Sequence, residues 1–205
     1  MRMRKKKHTG DRIQACADYM NYTALFKQNK LIYLEIGCGK GDFICGTAQK
    51  FPEVNFIAIE KMSDIIVTAL EKAKSLNLSN VRFIITDAKK LEEYFAEYKI
   101  SQIYLNFSDP WHKRYQADKR LTSPVFLEIY KKILTPNAKI IMKTDNINLF
   151  DYSLKTFPAN GFTLKNITRD LYNSDFFNFS ENIQTEYEKN FVSQNKPICY
   201  LEAYM

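Results

Sequence analysis

The chain has 205 residues, enough for one fully cored domain. Hydrophobic residues make up 45% and charged residues 26%, which excludes a disordered or fibrous chain, and no run approaches the roughly 20 apolar residues of a membrane span. The formal net charge of +7 favours a polyanionic partner such as a nucleic acid.

Residues 1–12, MRMRKKKHTGDR, read as a basic tail ahead of a single domain over 13–205, with a plain solvated terminus as the alternative to nucleic-acid contact. HTGDRIQ follows the basic residues where a secretion signal would need an apolar stretch, so the expected location is cytoplasmic. Cys16, Cys38, Cys45 and Cys199 form no CxxC pair and no zinc-type spacing, so reduced thiols are expected. No metal site is expected, since His8 and His112 are the only histidines.

From Leu31 two periodicities alternate. LIYLEI is a short apolar run that stops at Gly37, the signature of a buried strand. Residues 41–51 then place Ile44, Ala48 and Phe51 on one helical face. VNFIAIE is a second strand, and Ile66, Ala69, Leu70 and Ala73 predict a helix over 62–76. VRFIIT, a helix over 89–98, SQIYLNF, a helix over 124–134, AKIIMKT and a helix over 147–157 continue the alternation. GFTLKNIT and PICYLEAYM add two strands joined by an irregular segment, 169–196. The fold class is therefore α/β, with a mostly parallel seven-stranded sheet, helices on both faces and an antiparallel far edge.

Ligands of such sheets bind beyond the carboxyl ends of the strands. Here the strands end in, or lead into, Glu35, Glu60, Asp87, Asp109 and Asp145. Any one of these acids fits a helix cap; five suggest a ligand or a cation. The turn after the first strand, EIGCGKG, has Gly37, Gly39 and Gly41 in a GxGxG pattern, where a dinucleotide fingerprint would read GxGxxG. Glu35 and Asp42 make a pyrophosphate unwelcome, and a cationic cofactor without phosphate, such as S-adenosylmethionine, suits the loop better. Glu60 lies at the spacing from which an acid meets ribose hydroxyls, and Asp87 suits an adenine amino group.

EIGCGKGDF, NFSDPWHKRYQADKRL, KTD and TEYEKNF, together with the leading MRMRKK, resemble the bacterial tRNA (guanine-N7-)-methyltransferases, in order and across nearly the whole chain. The resemblance implies a Rossmann-like class I methyltransferase, S-adenosylmethionine as methyl donor, the variable-loop guanine of tRNA as acceptor, and a monomer or homodimer. It implies Glu35, Glu60, Asp87 and Asp109 as cofactor-side acids, with Asp109 also the catalytic candidate. It implies substrate contacts at Lys113, Asp145, Thr185, Glu186, Tyr187 and Glu188. The stretch Tyr115, Gln116, Ala117, Asp118, Lys119 and Arg120 would face the RNA. His112 stands where the family usually has a second Pro, and the basic run is thinner than is usual.

Guanine N7 carries an in-plane lone pair and no proton, so methylation needs no general base and rests on positioning and electrostatics. Asp109 is then expected to orient the purine and to stabilise its growing positive charge. Trp111 reads either as packing under the turn or as a stacking platform. Thr185 and Glu188 also have the spacing of a helix capping box, and LYNSDFFNFSENIQ before them has the composition of a mobile flap. Three other readings remain: a methyltransferase for a small molecule or protein, an inactive RNA-binding module, and an NAD dehydrogenase.

Overall fold

The computed structural model describes residues 8–28 and 30–205, so residues 1–7 of the basic tail lie outside the described residues. Two compact units are present, Met1–Asp87 and Ala88–Met205.

In the first unit, helix α1 (Thr9–Gln14) and a one-turn α2 (Thr23–Phe26) precede strand β1 (Ile32–Ile36). Then follow α3 (Asp42–Lys50), β2 (Asn55–Glu60), α4 (Ser63–Ser75) and β3 (Val81–Ile85). The strands are parallel in the order β3-β2-β1, with Leu34 opposite Ile57 and Ala58 opposite Phe83. Nearly every residue of β2 is buried, as expected of a strand covered on both faces. Phe56, Phe83, Ile66 and Leu70 lie in one core with Ile44 and Ala48 of α3. α1 packs on α4: Arg12 makes a two-pronged ion pair with Glu71 at 2.7 and 2.6 Å, and Thr9 donates to Asp64.

The second unit runs α5 (Leu91–Phe95), β4 (Ile100–Asn106), α6 (Pro124–Ile133), β5 (Leu134–Thr144), α7 (Ile147–Ala159), β6 (Thr163–Thr168), α8 (Glu186–Ser193) and β7 (Cys199–Tyr204). α5 is shorter than the predicted helix because only Leu91 and Phe95, one turn apart, face the core. Strand order here is β4-β5-β7-β6, with β4 and β5 parallel and β7 antiparallel to both neighbours. The final strand thus inserts between β5 and β6, where a simple terminal hairpin would have left it outside. β6 suits the outer position: it is largely exposed, carries Lys165, and breaks register between Lys165 and Thr168. Charge and irregularity of this kind keep an edge from recruiting another strand. The described residues therefore hold seven strands, parallel to their neighbours within each unit except at β7, in keeping with the mostly parallel strands and antiparallel edge that the sequence predicts.

Candidate functional site

The first unit builds the glycine turn. Gly37, Gly39 and Gly41 all adopt positive φ, at 80°, 56° and 80°. Their duties differ. A Cβ on Gly41 would lie 2.5 Å from the Ala69 Cβ, so Gly41 lets α3 pack against α4. A Cβ on Gly37 or Gly39 would meet nothing within 4 Å, so these two present bare backbone to open space. The amides of Gly37 and Cys38 both donate to the Ile59 carbonyl, at 2.9 and 3.0 Å.

Glu60, at the end of β2, closes the turn: its carboxylate accepts from Gly39 N at 3.3 Å and from Met62 N at 3.0 Å. A carboxylate offers about four lone-pair sites, so two amides leave it room for hydroxyl donors. Asp87 pairs with Lys61 at 2.7 Å, and Glu35 is only 2% exposed within β1. Asp42 is ion-paired with Lys72. Its charge is therefore answered within the protein, and the case against a pyrophosphate rests on Glu35. Burial, with Glu35 and Glu60 nearby, pushes the Cys38 thiol well up, so it stays neutral beside the turn.

The second unit holds the remaining candidates. Asp109 is exposed three residues beyond β4, in a loop bracketed by Phe107 and Trp111, at φ 51° and 43°. Bulky residues rarely take this left-handed conformation, which costs on the order of 1–3 kcal/mol each and concentrates at functional sites. Phe107 extends the ladder by donating to the Lys143 carbonyl at 2.8 Å, and its ring meets Tyr187 and Phe191 of α8, with centroids 6.5 and 5.7 Å away. Trp111 is half-buried, with the Lys119 ammonium 4.9 Å from its ring centre. Lys113, exposed, starts the short 3-10 turn Arg114–Lys119 and lies over the 74% exposed Tyr115 ring. Of that turn Gln116 and Ala117 are half-buried, while Asp118, Lys119 and also His112 are exposed.

Asp145 is exposed directly after β5, and Asn146 caps α7 by accepting from Leu149 N. The TEYE run divides. Thr185 and Glu188 form the capping box of α8 and are buried, Glu188 completely; Glu186 and Tyr187 are exposed. Lys143, inside β5, donates to both Glu188 oxygens at 3.0 and 3.1 Å and also to Asn182. Tyr172 donates to Glu188 at 2.8 Å, and Gln184 donates to the Tyr172 oxygen at 2.7 Å. Burial, above all, pushes the Tyr172 phenol up. The segment read as a flap is thus held at Tyr172, Asn182 and Gln184, although Phe176 and Phe179 remain exposed.

The chain matches the family model described as "Putative methyltransferase" over residues 29–201. Among curated relatives, the tRNA (guanine-N(7)-)-methyltransferase of Listeria welshimeri is 46% identical over 87% of this chain and 82% of its own. That of Halalkalibacterium halodurans is 39% identical over 99% of this chain and 95% of its own. This chain belongs to the tRNA (guanine-N(7)-)-methyltransferase family.

Solved methyltransferases share its fold. An rRNA methylase from Streptococcus thermophilus matches 100% of this chain and 98% of its own with TM-score 0.55 and 14% identity. The 16S rRNA methyltransferase KamB matches 89% and 90% with TM-score 0.66 and 13% identity. The Rossmann-like class I fold implied by the sequence is therefore the fold of this methyltransferase family member.

Within that family frame, the structure gathers Asp109, Asp145, Lys113 and the TEYE run in one unit, and Glu35, the glycines, Glu60 and Asp87 in the other. Sequence reasoning missed Lys143, Asn182 and Tyr172. One signal was available: a lysine inside the buried run AKIIMKT demands a carboxylate partner. Nothing local named Glu188 as that partner.

Proposed function

We propose that this protein transfers the methyl group of S-adenosylmethionine to N7 of the variable-loop guanine of tRNA. The observation that carries the reading is the identity of 39–46% to curated tRNA (guanine-N(7)-)-methyltransferases over most of the chain. The residues present fit the cofactor: bare backbone at Gly37 and Gly39, and a Glu60 carboxylate with acceptor capacity in reserve. When bound, S-adenosylmethionine supplies an electrophilic sulfonium methyl.

Glu60 would accept from the ribose hydroxyls and Asp87 from the adenine amino group, with Glu35 balancing the cationic centre. Asp109 would also serve the cofactor, and it would accept from guanine N1–H and the exocyclic amine, aim N7 and stabilise the cationic product base. It takes up no proton. Lys113, Asp145, Glu186 and Tyr187 would complete the purine contacts, while Tyr115 to Lys119 would meet the RNA backbone. Glu188 and Thr185 would act from within, by holding α8. One methyltransferase domain over 13–205, working as a monomer or homodimer in the cytoplasm, completes the reading; no helix among the described residues is long and apolar enough to cross a membrane.

The test is incubation with labelled S-adenosylmethionine and unmodified tRNA, followed by chemical cleavage at N7-methylguanosine. Cleavage in the variable loop, lost when that guanine is replaced, supports the reading. Label appearing on a protein or metabolite but not on tRNA overturns it in favour of a different methyl acceptor. Binding of tRNA without any transfer favours an inactive RNA-binding module.

A further inference from the structure

We propose that Arg120 is a positioning residue that clamps the Asp109 loop, and that it does not bind a phosphate. The sequence placed it with Lys119 at the end of an RNA-facing basic stretch. In the structure its charge points inward. Nε donates to the Pro110 carbonyl at 3.0 Å, and Nη2 donates to the Trp111 carbonyl at 3.1 Å. The two acceptors are consecutive carbonyls immediately after Asp109. The guanidinium also lies over the Tyr152 ring of α7, 4.4 Å from its centre.

Three facts make this a clamp. The loop it grips is strained, with Phe107 and Trp111 both at positive φ, and strained backbone persists only where its surroundings hold it. The planar guanidinium fork spans two adjacent acceptors in a way that an ammonium cannot. Tyr152 belongs to α7, which starts just after Asp145, so Arg120 ties the Asp109 loop to the helix that follows the exposed acid at the end of β5. Lys119, its neighbour, is exposed and turned toward the Trp111 ring, so adjacent cations in the sequence have opposite duties.

The inference rests on the methyltransferase reading, and the test separates the two. R120K keeps the charge and loses the fork. R120A loses both. Steady-state methylation of tRNA is measured for the full chain and each variant, with tRNA binding against salt and acrylamide quenching of Trp111, the lone tryptophan. Expected for both variants is a kcat lower by on the order of tenfold or more, since small displacements of a positioning group cost that much. The KM for tRNA and the salt slope should stay at wild-type values, and Trp111 should become easier to quench in the free protein. Tyr152→Leu, which removes the ring and leaves the guanidinium, should show the same pattern more weakly. It keeps the test open if R120A does not fold, which circular dichroism reports. R120K with wild-type kcat and quenching overturns the clamp. So does R120A with raised KM, unchanged kcat and a salt slope smaller by about one, the mark of a lost phosphate contact. If wild-type protein fails to methylate tRNA, the function reading falls, while the quenching of R120K still decides the clamp.

Discussion

Lys143 and Glu188 form an ion pair at 3.0 Å with 6% and 0% of their side chains exposed. One sits inside β5 and the other in α8, so a charge bond excluded from water fastens the TEYE helix to the sheet. Removing one partner of such a pair typically costs about 3–5 kcal/mol, because the survivor is left buried and uncompensated. Glu188→Ala and Lys143→Met should each lower the urea unfolding free energy by about that amount, and the double variant with Glu188→Leu should recover much of the loss. A cost under about 1 kcal/mol for either single change would mean that water reaches the pair.

The glycines can be told apart by stability. Gly41→Ala places a methyl against the Ala69 backbone and side chain in a left-handed conformation. Overpacking and φ strain together should cost about 2–4 kcal/mol, read in thermal or urea unfolding. Gly39→Ala has only the φ penalty, about 1 kcal/mol, and should instead weaken S-adenosylmethionine binding by calorimetry. Equal destabilisation by both would remove the distinction.

Asp109→Asn keeps the shape and removes the charge. If Asp109 stabilises the purine as its positive charge grows, kcat should fall by roughly 10²–10³ while tRNA affinity is largely kept. The pH–rate profile should not lose an acidic limb that belongs to a general base, since none is used. Collapse of tRNA binding with a normal rate at saturation would make Asp109 a docking residue only.

Lys113, Arg114 and Lys119 are the exposed lysine and arginine side chains of the loop. Lys119→Ala should raise the KM for tRNA and reduce the salt slope by about one, with kcat little changed, whereas Lys113→Ala, at the purine, should lower kcat as well. Salt slopes equal to wild type would place the phosphate contacts elsewhere.

Stability should respond to pH through one cluster on β7. Burial alone would raise the Glu202 carboxyl, but hydrogen bonds from Tyr204 and Tyr200 and the charge of Lys139 hold it below the ordinary range. Burial and Glu202 push the Tyr204 phenol up to about 12, and burial pushes Tyr200 up as well. A depressed acid contributes stability above its unfolded pKa that is lost as pH falls through the folded value. Raised phenols contribute stability below about 10 that is lost as pH rises through their folded values. Urea midpoints should therefore hold near neutrality, then fall below about pH 4 and above about pH 10. Glu202→Gln should flatten the acid side.

Much of the architecture was legible because it is written in short-range patterns. Apolar runs bounded by glycine and acid mark β1 to β5, and helical spacing marks α3, α4, α6 and α7, to within a few residues. The glycine turn and the capping box were equally readable, since turn chemistry and the first turn of a helix depend on neighbours in the chain. So was family membership, from motifs in order.

What the sequence by itself determined is therefore the periodicity, the turns and the acids that follow the strands. Tertiary structure alone decided that β7 enters between β5 and β6, that Asp42 answers Lys72, that Glu188 faces Lys143 in the core, and that Arg120 turns inward while Lys119 does not. The physical reason is common to all four. A period or a turn is set by residues a few places apart, whereas the partner of a strand edge or a charge is whichever group the completed packing brings within reach. NFSDPWHKR shows both: its Asp and cations were visible in the chain, but only the folded loop reveals that Arg120 donates to its Pro110 and Trp111 carbonyls.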